Sequence, residues 1–471
     1  MSESYVQRLG LFVASRERHL LPASVLDRLQ ACLLFNLSVA LAAPAPDSSR
    51  HAIEASHAAP GAATCWRTGA TLTPGDAACR NAALITARGQ NDTHAAMNGH
   101  IGCVAIPAVL SLAEAVGASS SDVCAALVSA YEVAPWVARG AAADSGARGL
   151  RGTSLYGVFA AAAGAARVLR LGPHATAAAL SIATQFSGGT MQCWAEGTPE
   201  WLLQVGMTSR AGVIAAQLAA HGMAGAARAL EGENGFYRAF AGQVPVWDRQ
   251  DAAPHEILDV TFKPFPGCTI NQLPVKTLLD CKRAEAFSAE SVARIKVTLH
   301  PAYAAYPGVA RHGPFDTVGS AIMSAPFMLQ TVLENDTIAL TDFAPGSVPS
   351  HVHERSRQIT IDADSQLEPF HCRLEIALKD GRTLLATSGS PAQLAYGLDE
   401  TVRLTRELAH EWAVIDSSAA HALLARQIAA VCQADGDEGS YTALLDTMRG
   451  LAATSRFSFD RSRAVTNDAM R

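Results

Sequence analysis

The stretch from Gly89 to Leu112, GQNDTHAAMNGHIGCVAIPAVLSL, joins a polar loop to a long apolar run. Asp92, Thr93, His94 and His100 place a carboxylate, a hydroxyl and two imidazoles just ahead of that run. Its apolar side chains recur at the spacing of an amphipathic helix: Ile106, Val109, Leu110 and Leu112. The pattern predicts a polar site mounted on a buried helix. In the alternative interpretation, Asp92 or Thr93 only caps the helix or the turn before it, and the histidines are satisfied surface groups.

Helical signals continue on both sides of this stretch. Val25, Leu26, Leu29, Leu33 and Leu34 have helical spacing, and residues 119–122 (Ser-Ser-Ser-Asp) mark a helix start. Three runs rich in alanine, glycine and serine allow close approach between helix backbones: residues 157–169, 175–184 and 206–221. The sequence therefore predicts an all-helical domain over residues 1–255.

Strand patterns appear only in the second half. Residues 292–299 and 358–362 alternate in period two, and the runs 372–378 and 382–387 flank Lys379-Asp380-Gly381, a strong hairpin signal. Residues 275–284 and 320–334 have helical patterns between the strands. We expect a smaller α/β domain over residues 256–395, and C-terminal helices over residues 396–471. The fold class is thus mainly α with a smaller α/β domain.

Composition excludes several classes of function. The formal charge of −6, without any basic run carrying interleaved aromatics, gives no reason to expect nucleic acid. Ten scattered cysteines without a Cys-x-x-Cys pair fit a reducing cytosol, and the N-terminus lacks the basic-then-apolar order of a signal peptide. We expect a soluble cytoplasmic protein that does not contact a membrane.

Two further segments accompany the loop at Asp92: Leu230–Gly242 (LEGENGFYRAFAG) and Phe262–Cys268 (FKPFPGC). In this order the three resemble the MmgE/PrpD family, which includes 2-methylcitrate dehydratase, cis-aconitate decarboxylase and iminodisuccinate epimerase. The resemblance extends from about Val6 to about Glu407. It implies a large helical domain with a lid-like α/β domain, C-terminal helices that return to the helical domain, and a homodimer. We interpret the Leu230–Gly242 segment itself as structural.

Catalytic residues follow from the resemblance residue by residue. His100 matches the family histidine that follows the Asp-Thr motif, and an imidazole can serve as base or acid near neutral pH. Lys263 matches the family lysine and is a candidate cation that reaches across to the helical domain; in the alternative it is a solvated loop lysine. Thr93 matches an active-site threonine, and Asp92 is a candidate to orient His100 or to bind substrate oxygens.

The chain also departs from the family pattern. Gly89 stands where decarboxylases and dehydratases of the family carry an aspartate. Arg151 and Arg210 stand where decarboxylases have a histidine and a lysine, and arginine binds carboxylates in a bidentate fork without shuttling protons. Both arginines are therefore predicted to bind substrate, with structural ion pairs as the alternative.

Three remaining candidates have polar groups near these motifs. Tyr303 is predicted to be catalytic, and Tyr306 and His94 to bind substrate, with simple packing as the alternative for the tyrosines. A metal site is not predicted, since His351 and His353 lack a carboxylate or cysteine at ligand spacing. Neither a Gly-x-Gly-x-x-Gly after a strand nor a P-loop is present, so no cofactor is expected.

These residues favour a cofactor-independent, dehydratase-like lyase acting on a small di- or tricarboxylate by proton abstraction next to a carboxylate. The first alternative is an epimerase of an aminopolycarboxylate such as iminodisuccinate, because epimerisation needs no acid for a leaving group. The second is a catalytically silent relative that only binds carboxylates.

Overall fold

The computed structural model describes residues 3–43, 52–54, 56, 58–247, 255–344, 349–412, 414–433 and 439–454. Its first half consists mainly of helices packed through small side chains. A Cβ atom at Gly212 would lie 2.2 Å from Cβ of Ala161, and one at Gly164 would lie 2.5 Å from a methyl of Val109, so these helices approach to backbone contact. The helices are α1 (Tyr5–Ala14), α2 (Ala23–Leu41), α3 (Pro74–Thr86), α4 (Gly102–Val116), α5 (Ser120–Ala138), α6 (Ala142–Ala147), α7 (Gly152–Val168), α8 (Pro173–Ala183), α9 (Gln192–Glu196), α10 (Glu200–Ala220) and α11 (Phe236–Phe240).

The prediction of an all-helical first domain is wrong in one detail. Strands β1 (Pro60–Thr64) and β2 (Thr71–Leu72) form a small antiparallel hairpin ahead of α3. Gly69 closes its turn at φ +70°, a conformation that glycine adopts without strain. The predicted start of α5 is confirmed, because the Ser119 hydroxyl accepts a hydrogen bond from the Asp122 amide at 3.2 Å.

The second half contains the predicted α/β unit. Helix α12 (Gln272–Glu285) packs on a four-stranded sheet whose order is β4-β3-β5-β6. The pair β3–β4 is parallel and the other two pairs are antiparallel. The strands are β3 (Val292–Leu299), β4 (Ile359–Ala363), β5 (Cys372–Leu378) and β6 (Thr383–Thr387), and the helices between β3 and β4 are α13 (Pro301–Ala304), α14 (Val318–Met323), α15 (Ala325–Asn335) and α16 (Ser350–Ser356).

One helix predicted for this unit is two helices in the structure. The predicted helix over residues 320–334 is interrupted at Ser324, where α14 ends and α15 begins. Pro326 has no N–H to bond to the Ile322 carbonyl four residues earlier, and that carbonyl accepts from the Cys268 amide at 2.9 Å instead, so one continuous helix is not formed and Pro326 lies in the first turn of α15. The Ser324 hydroxyl caps α15 by accepting from the Phe327 amide at 3.0 Å.

The C-terminal helices pack on the first half of the chain. Helices α17 (Leu398–Leu408) and α18 (Ser417–Gln433) lie against α2, and the indole of Trp412 donates to the Ser38 carbonyl at 3.1 Å. Helix α19 (Gly439–Thr454) packs on α18, and the hydroxyl of its Tyr441 donates to the Leu110 carbonyl in α4. The domain boundaries at residues 255 and 395 stay predictions.

Helix α2 is long and apolar enough to cross a membrane by length and composition alone. Within the described residues, however, 67% of its most apolar stretch is buried in the fold. A core helix covered by α17 and α18 accounts for its composition. The ten cysteines are free thiols.

Candidate active site

Two distant segments meet at a short backbone bridge. The Thr93 amide donates to the Thr261 carbonyl at 2.8 Å, and the Thr261 amide donates back at 2.9 Å. This bridge joins the loop before α4 to the segment that carries Lys263. Two of the motifs found in the sequence are therefore neighbours in space.

Beside this bridge lies an open cavity, whose non-atom space of about 610 Å³ includes the solvent at its mouth. Its polar lining comprises Thr86, Asn91, Thr93, Asn98, His100, Arg151, Thr153, Lys263, Cys268 and Thr269, and its apolar and aromatic lining comprises Trp194, Trp201, Ile270, Tyr306, Ile322, Met323 and Phe370. No aspartate or glutamate of the described chain is among the lining residues. Two cationic side chains thus face a cavity wall without a carboxylate.

His100 is held by the backbone of the loop before it. Its Nδ1 lies 2.8 Å from the Asp92 carbonyl oxygen, and 3.3 Å from the Thr93 hydroxyl. A carbonyl can only accept, so Nδ1 carries the proton and Nε2 of the neutral ring has a free lone pair. Burial lowers the pKa of His100 well below 6.5, and the charges of Lys263 and Arg151 lower it further. At neutral pH the ring is therefore an unprotonated base.

Asp92 lies behind His100 and does not line the cavity. Its side chain is 1% exposed and accepts from the Tyr131 hydroxyl at 2.5 Å, from Asn36 Nδ2 at 3.0 Å and from the Gly102 amide at 3.0 Å. Burial raises the pKa of Asp92, and these hydrogen bonds partly offset that effect. A Cβ atom at Gly102 would lie 2.6 Å from this carboxylate, so the start of α4 requires a glycine. The contacts make Asp92 a support for the helix start and for the carbonyl that holds His100.

Lys263 is buried at 2% exposure beside the cavity. Its Nζ donates to the Gly89 carbonyl at 2.7 Å and to the Gly267 carbonyl at 3.1 Å. Burial is the main reason that the pKa of Lys263 falls to about 8, with the nearby charge of Arg151 acting in the same direction. An ammonium has three N–H donors, so one remains for a ligand.

Arg151 is the residue before α7 and also lines the cavity. Its Nη1 donates to the Trp201 carbonyl at 2.9 Å, and its guanidinium carbon lies 5.1 Å from the centre of the Trp194 ring. Among the described residues, no carboxylate pairs with it, and its Nε and Nη2 have no hydrogen-bond partner. These donors suit a carboxylate ligand.

Several predicted site residues lie elsewhere. The side chain of Arg210 is 38% exposed and forms an ion pair with Asp76 at 3.2 Å. A structural ion pair was the alternative to substrate binding for this residue. His94 is buried against Glu256, with its Nε2 3.3 Å from the carboxylate. Tyr306 lines the cavity, but Tyr303 does not and packs on Phe370 with ring centres 4.5 Å apart.

The cavity also contains residues that the sequence motifs did not single out. Cys268 is the last residue of the Phe262–Cys268 segment but was given no role, and Thr269 follows it directly, so their place in the chain was an available signal. The Thr269 hydroxyl lies 3.1 Å from that of Thr93, and burial raises the pKa of the Cys268 thiol. Trp194 and Phe370 belong to no motif, and only the fold brings them to the site.

A group of possible metal ligands lies outside the cavity. In the part of the chain that the structure describes, donor atoms of His94, Glu256 and Asp259 lie within 4.8 Å of one another. Glu256 already accepts two hydrogen bonds from Arg139, at 2.7 and 2.9 Å, and contacts His94. These contacts fit a buried ion-pair network, and the absence of a metal from the reaction stays a prediction.

Residues of the helical first half and of the α/β unit both line the cationic cavity. The sequence profile of the MmgE/PrpD N-terminal domain matches residues 7–247, slightly more than half of the chain. The protein therefore belongs to the MmgE/PrpD family, and membership supports a dehydratase- or lyase-type role at the level of the family.

One curated relative has low sequence identity to this chain. The chain is 25% identical over 377 residues to the cis-aconitate decarboxylase-like protein oryM of Aspergillus oryzae, a match that covers 73% of this chain and 76% of that protein. The profile match includes His100 and Arg151, whereas Lys263 lies beyond it.

Proposed function

We propose that this protein is a cofactor-independent, dehydratase-like lyase that abstracts a proton next to a carboxylate of a small di- or tricarboxylate. One observation carries the proposal. A neutral imidazole with a free Nε2, from His100, shares a cavity with the cations of Lys263 and Arg151, and no acidic side chain lines that cavity. An anionic ligand would balance the two charges.

In the expected reaction, His100 transfers protons, and Arg151 and Lys263 bind carboxylates. Arg151 binds one carboxylate through Nε and Nη2, and Lys263 directs its third N–H to the carboxylate next to the reacting carbon. Nε2 of His100 removes the proton from that carbon, and the negative charge that develops on the carboxylate oxygens is stabilised by Lys263. The leaving hydroxyl then takes a proton from the His100 imidazolium, or from the Tyr306 hydroxyl, which regains a proton from that imidazolium, and departs as water, so that a carbon–carbon double bond remains.

Epimerisation of an aminopolycarboxylate is a second candidate, and one observation favours it. Gly89 replaces the aspartate of related decarboxylases and dehydratases, and its φ is +62°. A Cβ atom there would lie 3.1 Å from Cδ1 of Ile322, so an apolar methyl group occupies the space next to this position. A cavity wall without a carboxylic acid has fewer groups that can protonate a leaving group. Epimerisation has no leaving group and therefore does not need such an acid.

Proton NMR in deuterated water is the test. The purified protein is incubated with citrate, 2-methylcitrate, cis-aconitate and iminodisuccinate, with the His100→Gln variant as the control. Deuterium uptake next to a carboxylate with loss of water supports the dehydratase. Uptake with inversion of configuration supports the epimerase. Saturable binding without exchange would support a catalytically silent binder and overturn both enzymatic proposals.

We also propose a cytoplasmic homodimer, as the family resemblance implies. Light scattering after size-exclusion chromatography tests the oligomeric state, and a monomer at micromolar concentration would contradict it.

A further inference from the structure

Lys263 is held by a chain of contacts that begins in the C-terminal part of the protein. Arg88 is 1% exposed, and its guanidinium binds both carboxylate oxygens of Glu411, at 2.7 and 3.1 Å. The same guanidinium donates to the Ala42 carbonyl at 2.8 Å and to Gln90 Oε1 at 3.1 Å. A buried arginine is thus fixed by three parts of the chain.

Gln90 connects Arg88 to the backbone at Lys263 by hydrogen bonds. Its Nε2 donates to the Lys263 carbonyl at 3.0 Å and to the Pro264 carbonyl at 3.2 Å. Because Gln90 Oε1 accepts from Arg88, the orientation of the amide group is determined, and its donors can only face the Lys263 loop.

Backbone carbonyls of the same segment hold the ammonium group of Lys263. Gly89 lies between Arg88 and Gln90, and its carbonyl accepts from Nζ of Lys263 at 2.7 Å. The Arg88 carbonyl accepts from the Gly267 amide at 3.3 Å, and the Gly267 carbonyl is the second acceptor for Nζ. Both the backbone and the ammonium group of Lys263 therefore depend on the tripeptide Arg88–Gln90.

We propose that Glu411 and Arg88 are positioning residues for Lys263, so that the segment after α17 contributes to catalysis without touching the cavity. This inference rests on the proposed role of Lys263 in the reaction. Neither Glu411 nor Arg88 lines the cavity, and Glu411 lies far beyond the part of the chain that the family profile matches. A misplacement of about 1 Å in such a group can lower turnover roughly a hundredfold.

The test compares Glu411→Gln with Asp122→Asn in the full-length protein. Asp122 forms a similar ion-pair cluster with Arg170, at 2.6 and 3.1 Å, and Arg167, at 3.2 Å, but has no contact with the cavity. Both variants lose a carboxylate that binds arginine, so loss of stability is common to them. Gln90→Met is a second variant that interrupts the same chain of contacts one residue closer to Lys263.

Two measurements separate positioning from stability. The first is turnover in the deuterium assay, in which Glu411→Gln and Gln90→Met should lower kcat roughly ten- to a hundredfold, with a smaller change in KM, while Asp122→Asn keeps the wild-type kcat. The second needs no substrate. The chain has five lysines, so ¹³C-labelled lysine gives few NMR signals, and the signal lost in Lys263→Met reports the Lys263 titration. That titration should move in Glu411→Gln and Gln90→Met and not in Asp122→Asn.

An unchanged Lys263 titration in Glu411→Gln and Gln90→Met would overturn the positioning proposal. The same conclusion follows if Asp122→Asn lowers kcat as much as they do. If the titration moves but no carboxylate shows turnover with the wild-type protein, the positioning holds and the proposed function fails.

Discussion

The imidazole of His100 donates its Nδ1 proton to the backbone carbonyl oxygen of Asp92 at 2.8 Å. This contact selects one tautomer and leaves Nε2 as the basic atom. Asp92 therefore acts as a support for His100 and does not contact the substrate. Its carboxylate lies behind the ring and accepts hydrogen bonds from Gly102, Asn36 and Tyr131. The candidate base is thus oriented by a main-chain atom.

Replacement of His100 by Gln should lower turnover by roughly 10²–10⁴. Glutamine keeps a hydrogen-bonding side chain of similar size but cannot accept a proton from carbon. Solvent deuterium exchange, measured by NMR on the same samples, should fall in parallel. Exchange at the wild-type rate would place the base elsewhere, and Tyr306 would be the next residue to change.

The pH dependence of kcat/KM should have limbs set by His100 and Lys263. The active form of His100 is neutral, and its pKa lies well below 6.5, so activity should persist below pH 6.5 and disappear only at more acidic pH. The active form of Lys263 is charged, with a pKa of about 8, so activity should decline as the pH rises through about 8. Steady-state rates across this range check both limbs, and an acid limb above pH 6.5 would contradict the assignment of His100.

Replacement of Lys263 by Ala should lower kcat by roughly 10²–10³, the usual effect of removing one donor to a developing anion. A lysine in a loop is expected from sequence to contribute little to stability. The structure changes that expectation, because the Gly89 and Gly267 carbonyls both lose their Nζ donor. We expect the free energy of unfolding to fall by about 1–3 kcal/mol. Urea unfolding and kinetics on the same variant test both effects, and wild-type turnover would remove Lys263 from the site.

Replacement of Arg151 by Lys should raise KM roughly ten- to a hundredfold, since a point charge cannot form the two-pronged carboxylate contact. Arg210→Lys is the matched control. Arg210 pairs with Asp76 away from the cavity, so its variant should keep the wild-type KM. Equal KM values for the two variants would remove the substrate-binding role of Arg151.

Replacement of Tyr131 by Phe should destabilise the fold by about 1–3 kcal/mol, because the buried Asp92 carboxylate loses its shortest hydrogen bond. Thermal or urea unfolding measures the change. Tyr237→Phe, which removes a buried hydroxyl that donates to the Val137 carbonyl at 2.9 Å, provides a control away from the cavity. If only Tyr131→Phe also lowers turnover, the support from Asp92 to His100 has a catalytic effect; a Tyr131→Phe protein as stable as the wild type would contradict this prediction.

Much of the fold was predictable because regular elements have local periodicity. Residues 292–299 and 372–378 are strands with the predicted bounds, and the predicted apolar run at Val104 is a helix. The start of that helix was not marked by a cap, since its N-cap residue Ile101 has no capping side chain. The carboxylate of Asp92 instead reaches the first amide of the helix from ten residues upstream.

The site was less predictable, because sequence spacing does not tell which side of an element faces a cavity. His100, Lys263, Arg151, Thr93 and Tyr306 meet at the cavity. Arg210 lies on α10 and faces Asp76, a residue of α3. His100 and Lys263 are held by main-chain carbonyls, which every residue has, so the amino-acid sequence does not indicate these contacts. The contribution of Glu411, more than three hundred residues from Arg88, depends entirely on the tertiary fold.

The order of α2, α17 and α18 along the chain has a consequence for biogenesis. Helix α2 leaves the ribosome well before the helices that cover it. At roughly 5–20 residues per second, synthesis from Leu41 to Leu398 takes on the order of 20–70 s. An apolar segment of membrane-spanning length is therefore without the cover of α17 and α18 during this interval. Chaperones that bind nascent chains should engage this protein early, and truncation before α17 should yield aggregated chains.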